Sequence, residues 1–203
     1  MEEARKFIRT NRDRPFFCYL PVTPPHGMHD IPASDPSWAL YRDKPWPEDA
    51  KVYAAMVNLV DRNLGETLEL LRELGLERDT IVFVSGDNGG SDYFRSAELP
   101  RGFHAPNVDP RSGKTFRGQK GNLYEGGLRV PMAVCWPGRI PPGRVSDRLW
   151  YFPDLMPTLA ELAGVPPPPD TDGISIVPEL LGEAAAGRTQ ATHEYLYLSL
   201  IHI

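Results

Sequence analysis

Apolar runs alternate with stretches rich in proline, glycine and charge along the whole chain, and their periods predict a mixed set of elements. The opening MEEARKFIRTNRDRPFF reads as an amphipathic helix leading into a strand. Residues 16–20 (FFCYL) predict a buried strand, and PVTPPHGMHDIP after it is a proline-stiffened loop. A long helix is predicted from about 47 to 74. Val52, Met56, Leu59, Val60, Leu64, Leu68, Leu71 and Leu74 recur there close to a 3.6-residue period. Pro47, Glu48 and Asp49 suit its first turn, where a missing N–H and negative charge are tolerated. Gly75 fits a left-handed stop, with Leu76 packing back on the last turn.

Residues 80–84 (TIVFV) predict the next strand, dense in β-branched and aromatic side chains. It runs into the loop SGDNGG, and a long loop region spans 91–127. Residues 130–136 read as another strand and PGRIPPG as a turn. Asp154 is placed to cap a helix PDLMPTLAELAG, with Pro157 in its first turn and Gly164 after its last. The proline run 166–169 is a rigid spacer. Strand, helix, strand with apolar strands throughout predicts an α/β fold with a largely parallel sheet. Ligands of such sheets gather at the carboxyl ends of the strands, which puts His26 and the DNGG loop on one rim.

Composition narrows the function classes. A formal net charge of −5 argues against a non-specific nucleic-acid surface. No stretch approaches the roughly 20 apolar residues of a membrane span. The 22 prolines and 18 glycines fall in short clusters between apolar runs, as ordered loops do. Two cysteines, Cys18 and Cys135, make no disulfide framework and sit in apolar runs, so both read as buried thiols. The N-terminus has no apolar core of a signal peptide.

Three stretches carry candidate chemistry. Asp87 and Asn88 in Asp87-Asn88-Gly89-Gly90 place a carboxylate beside an amide carbonyl, hard oxygen ligands suited to Ca²⁺ or Mg²⁺. The same residues are the usual occupants of a plain turn, and the tetrapeptide alone leaves both readings open. In FRGQKGNLYEGGLRVP, residues 116–131, Arg117 and Lys120 stand among four glycines before a strand. Glycine-rich backbone with a lysine can approach an oxyanion closely, and it can equally be a solvated loop. His26 follows two prolines that could aim its imidazole to donate a proton or hold an anion, or it is an incidental loop histidine. His29 is a weaker candidate, and His104 has no nameable partner.

Taken in order, these pieces closely resemble the arylsulfatases. The stretches are PFFCYLPVTPPHGMHDIP, then KVYAAMVNLVDRNLGETLELLRELGLERDTIVFVSGDNGG, FRGQKGNLYEGGLRVPMAVCWPGRIPPG and DLMPTLAELAG. The resemblance runs from about residue 14 to 197. It implies the alkaline-phosphatase-like (sulfatase) α/β sandwich, with a mostly parallel central sheet flanked by helices, incomplete in this chain. It implies hydrolysis of a sulfate monoester, with one Ca²⁺ and a formylglycine nucleophile. Residue by residue, Asp87 and Asn88 resemble two of the calcium ligands. Lys120 resembles the lysine that contacts the sulfate ester, and His26 the histidine that contacts the sulfate and assists the leaving alcohol. The substrate implied is a sulfated small molecule or glycan, with no nucleic acid and no membrane span, and the compartment periplasmic or extracellular. Loops within 91–114 are expected to set the substrate.

The nucleophile motif of the family, C/S-x-P-S/A-R, has no true counterpart. Cys135-Trp136-Pro137-Gly138-Arg139 is a near-match with Gly in place of Ser or Ala. It falls on a strand and turn, whereas the nucleophile opens a helix. Residues 1–203 are therefore read as a partial catalytic domain, without its nucleophile-bearing N-terminal part and its C-terminal subdomain, inactive alone. Alternatives are a phosphodiesterase or phosphonate hydrolase of the same superfamily, or a non-catalytic calcium or sulfated-glycan binding module.

Overall fold

The structure is a computed structural model, described for residues 1–91, 108–109, 111–183 and 187–194. It divides into two units, Met1–Glu77 with Gly86–Pro131, and Arg78–Ser85 with Met132–Ile203.

In the first unit, α1 (Glu2–Asn11) buries Ala4, Ile8 and Asn11, one helical face at spacings of four and three. It is tied to α3 (Glu48–Glu73) by Arg5, whose Nη1 donates to Asn63 Oδ1 at 3.2 Å and pairs with Glu66 at 3.0 Å. The short α2 (Pro36–Ala39) is capped by Asp35, which accepts the Ser37 N–H at 2.8 Å. Both oxygens of the same carboxylate accept from one nitrogen of α3, Arg62 Nη2, at 3.0 and 2.9 Å. Ile31, Ala55 and Met56 form a small core against which Trp38, Tyr41, Val52 and Leu59 pack.

The long helix matches its sequence signals at both ends. Pro47 is its N-cap and Leu74 its C-cap. Gly75 at φ +70° lets Leu76 N–H reach Leu71 O at 2.8 Å and Gly75 N–H reach Arg72 O at 3.0 Å. These two bonds are the double closure by which a left-handed residue satisfies the last helical carbonyls. Of the eight apolar positions on its stripe, Met56 and Leu71 are buried and the rest half-buried.

Two expectations fail here. Residues 16–20 form no strand, and Phe17 and Tyr19 are 70% and 75% exposed. A strand needs a neighbour to complete its ladder, and none of the described residues supplies one. Phe16 finds an aromatic partner in Phe7, edge to face at 5.9 Å. Neither cysteine is buried: Cys18 is half-buried and Cys135 exposed, both as free thiols.

In the second unit, β1 (Val82–Ser85) pairs with β2 (Met132–Cys135) antiparallel, with Val82 opposite Cys135 and Ser85 opposite Met132. The parallel arrangement expected from the strand–helix–strand pattern is therefore absent from this pair. The chain returns from β1 to β2 through 86–131, where the described residues hold one helical turn, α4 (Glu125–Leu128), and no helical crossover of the kind that parallel pairing needs.

The 3₁₀ turn Phe152–Asp154 leads into α5 (Leu155–Leu162). Asp154 is the N-cap residue of α5, as expected, but its side chain caps none of that helix's N–H groups and closes the turn before it, with Oδ2 accepting the Tyr151 N–H at 3.2 Å. Its Oδ1 accepts the Ile174 N–H at 2.8 Å and lies 2.7 Å from His193 Nε2. Thr158 Oγ1 donates to Asp154 O at 2.6 Å and accepts the Ile176 N–H at 3.0 Å. This network holds the segment before α6 (Val177–Leu181) against α5.

Candidate functional site

The two glycine-bearing loops of the first unit, 86–91 and 116–129, interlock through their backbones. Gly89 N–H donates to Gly127 O at 2.9 Å, and Lys120 N–H donates to Gly90 O at 2.8 Å. Within the second loop, Gly126 N–H donates to Arg117 O at 2.8 Å, and Asn122 Oδ1 accepts the Gln119 N–H at 3.1 Å. The approach is close enough to exclude side chains. A Cβ on Gly89 would overlap the Gly126 carbonyl, and one on Gly126 would overlap the Gly118 carbonyl oxygen. Gly118 itself sits at φ +80°, a conformation that L side chains resist. Glycine is thus required for packing at 89 and 126 and for conformation at 118. The sequence shows these glycines as loop formers; that they grip one another is visible only in the fold.

This interlock puts Asp87 and Asn88 on the same backbone frame as Lys120. Asn88 Nδ2 donates to Gly89 O at 2.9 Å, and Oδ1, the acceptor end of the amide, has no hydrogen-bond partner among the described residues. The Asp87 carboxylate is exposed and has no hydrogen-bond or ion-pair partner among the described residues. Two oxygens of this kind, without internal partners, have the chemistry of hard-cation ligands and fit part of a calcium site. Among the described residues no group of three or more His, Cys, Asp and Glu could complete one.

Lys120 is half-buried and has no carboxylate partner among the described residues. Its neighbours on the loop are otherwise engaged. Arg129 pairs with Glu125 across one helical turn and lies 4.9 Å over the Phe116 ring, and Arg117 lies 3.8 Å over the Tyr124 ring. His26 stands in a turn closed by its own N–H to Thr23 O at 2.9 Å, with Gly27 at φ +85° behind it. Its side chain is exposed and makes no hydrogen bond to Asp87, Asn88 or Lys120. The fold therefore brings three of the four candidates onto one frame and leaves the fourth in the same unit without a direct bond to them. His29, the weaker candidate, packs edge to face on Tyr53 at 5.6 Å.

His104 and most of the 91–114 loop lie outside the described residues; the part seen includes a turn bridged from Val108 to Thr115. A cavity of about 510 Å³ in the second unit is lined by Pro157, Glu161, Ile174, Pro178, Arg188 and Gln190, among others, and by none of the candidate residues. Cys135 is the last residue of β2, so CWPGR lies on a strand and its following turn, as the sequence reading has it. Sequence reasoning missed the Asp154–His193 pair, because nothing in the pattern marks His193 as coming within 2.7 Å of a carboxylate.

Comparison with known proteins identifies the class. The Sulfatase family model matches residues 1–165. The chain belongs to the sulfatase family, a family of sulfuric ester hydrolases. Among curated relatives, steryl-sulfatase of Mus musculus is 35% identical over 97% of this chain and 28% of that protein. N-acetylgalactosamine-6-sulfatase of Canis lupus familiaris is 34% identical over 90% of this chain and 32% of that protein. The solved structure of Ps i-CgsB in complex with k-i-k-neocarrahexaose is 30% identical with a TM-score of 0.71, covering 89% of this chain and 37% of that one. The fold is accordingly the alkaline-phosphatase-like fold of the sulfatases, of which this chain spans about a third. No helix among the described residues is long and apolar enough to cross a membrane.

Proposed function

We propose that this chain forms part of the catalytic domain of a calcium-dependent, formylglycine-type sulfatase acting on a sulfated glycan or small molecule. The observation that carries the reading is the backbone interlock, which couples a carboxylate and an amide oxygen to an ammonium, none of them with a side-chain partner among the described residues. In this reading Asp87 and Asn88 hold the calcium ion with ligands from elsewhere in the domain. Calcium supplies positive charge to the sulfate oxygens and formylglycine the nucleophile. Lys120 binds a sulfate oxygen and stabilises the charge that builds on it as the S–O bond to the alcohol breaks. His26 gives its proton to the departing alcohol oxygen. The glycine contacts keep Lys120 and the ligand pair from drifting apart, which preserves orientation.

Titration of Ca²⁺ and of 4-nitrophenyl sulfate into the chain tests this reading. Calcium binding is expected to vanish in Asp87→Ala and to persist in Lys120→Ala, while sulfate-ester binding weakens in both. Calcium binding that is indifferent to Asp87→Ala would refute the ligand assignment. The chain alone is expected to show binding without turnover; turnover abolished by Cys135→Ala would make CWPGR the nucleophile after all.

A further inference from the structure

Residues 111–129 hold five basic side chains, Arg111, Lys114, Arg117, Lys120 and Arg129, against the single acid Glu125, in a chain of net charge −5. A local excess of one sign in a chain of the other concentrates counter-ions at that place. The arginines of this unit are not alike. Arg5, Arg62 and Arg129 are each paired with a carboxylate. Arg117 has no carboxylate partner among the described residues, and its guanidinium lies 3.8 Å over the exposed Tyr124 ring.

The ring face steadies the cation held over it, and no described residue is seen to take up the guanidinium N–H donors, whose fork fits a pair of anionic oxygens. The backbone below it is equally fixed. Arg117 O accepts the Gly126 N–H at 2.8 Å, and a Cβ on Gly118 would lie 2.8 Å from Tyr124 Cβ. Arg117 is thus a pre-oriented cation, without a carboxylate partner among the described residues, three residues from Lys120 on the loop that is locked to Asp87 and Asn88. An ordinary surface arginine has neither the stacking nor the fixed backbone.

We propose that Arg117 is a second anion-binding position beside Lys120 and that the substrate carries a second anionic group, as a multiply sulfated saccharide does. The inference rests on the sulfatase reading of Lys120 above. Lys120 takes the sulfate that reacts; Arg117 takes a neighbouring sulfate of the same ligand and so selects polyanionic saccharides over esters with one charge. Lys114, exposed and likewise without a carboxylate partner among the described residues, extends the same field outward.

The test is calorimetric titration of the calcium-loaded chain with a hexosamine monosulfate and with the corresponding disulfate. The unmodified chain is expected to favour the disulfate by roughly tenfold, the size of one charge-assisted contact at an exposed site. Arg117→Gln is expected to remove that preference and leave monosulfate binding unchanged. Arg117→Lys, which keeps the charge and loses the fork, is expected to retain part of it. A preference that survives Arg117→Gln, or a loss of both ligands in equal measure, overturns the inference alone. Absence of monosulfate binding, or binding untouched by Lys120→Gln, overturns the sulfate reading and this inference with it.

Discussion

The interlocked loops of the first unit and the Asp154 network of the second use polar groups in opposite ways. At 86–91 and 116–129 the backbones pack closely, glycine to glycine, and Asp87, Lys120 and Arg117 are left without ionic partners among the described residues. Around Asp154 the side chains do the joining. A carboxylate 1% exposed gathers two backbone N–H groups and an imidazole, so both of its oxygens are engaged inside the fold. A satisfied buried carboxylate is a structural tie, whereas a rigid frame presenting unsatisfied charge is suited to a ligand. The difference lies in arrangement and not in residue type, since both regions draw on aspartate and a basic side chain.

The sharpest way to break this contrast is Gly126→Ala. The added Cβ would overlap the Gly118 carbonyl oxygen, which is backbone and cannot swing away. A destabilisation of about 4 kcal/mol or local loss of the loop is expected, with calcium and sulfate-ester binding lost together. Urea unfolding followed by titration measures both, and unaltered binding in this variant would show that the interlock positions nothing.

Asp154→Ala is expected to come next. It strands the Tyr151 and Ile174 N–H groups and the His193 ring, and should cost about 3 kcal/mol in denaturant unfolding. Calcium affinity of the folded fraction should be unchanged. A cost near zero would mean that water replaces the carboxylate and that the second region is no tie.

Lys120→Ala should invert this pattern. Stability should move by no more than about 0.5 kcal/mol, because the side chain has no ionic partner among the described residues to lose. Sulfate-ester affinity should fall roughly tenfold or more, and in a turnover-competent enzyme kcat should fall by ~10²–10³. A large loss of stability with normal affinity would place Lys120 among the structural residues.

The smallest effect concerns Asp35. Burial opposes its ionisation, but the Ser37 donors and the Arg62 guanidinium outweigh it and hold the carboxyl below the usual carboxylate range. With the folded pKa below the unfolded one, the contribution is complete above the unfolded value and is lost as pH falls through the folded value. Urea midpoints should therefore drop below about pH 4, and Asp35→Asn should remove about 1 kcal/mol of that pH-dependent part. A variant with the same acid profile as the unmodified chain would show the clamp to be idle.

Local signals in the chain were enough for whatever depends on near neighbours. The helix from Pro47 to Leu74 was legible from its period, its acidic first turn and Gly75, because helix hydrogen bonds and caps close within a few residues. The order DNGG, then GQKGNLYEGG, marked Asp87, Asn88 and Lys120 as candidates through resemblance, and the strand position of Cys135 was readable as well. What required tertiary structure was every pairing between distant residues. FFCYL carries a strand's composition, but a ladder needs a partner strand and the described residues provide none. The antiparallel direction of β1 and β2 depends on the path of 86–131, which composition does not encode. Asp154 holds the helix-cap position that the sequence marks, but its side chain is a buried junction, because His193 arrives 39 residues later. The glycines read as turn formers, yet Gly89 and Gly126 are required by the carbonyl groups that approach them, an exclusion that exists only once the loops are packed.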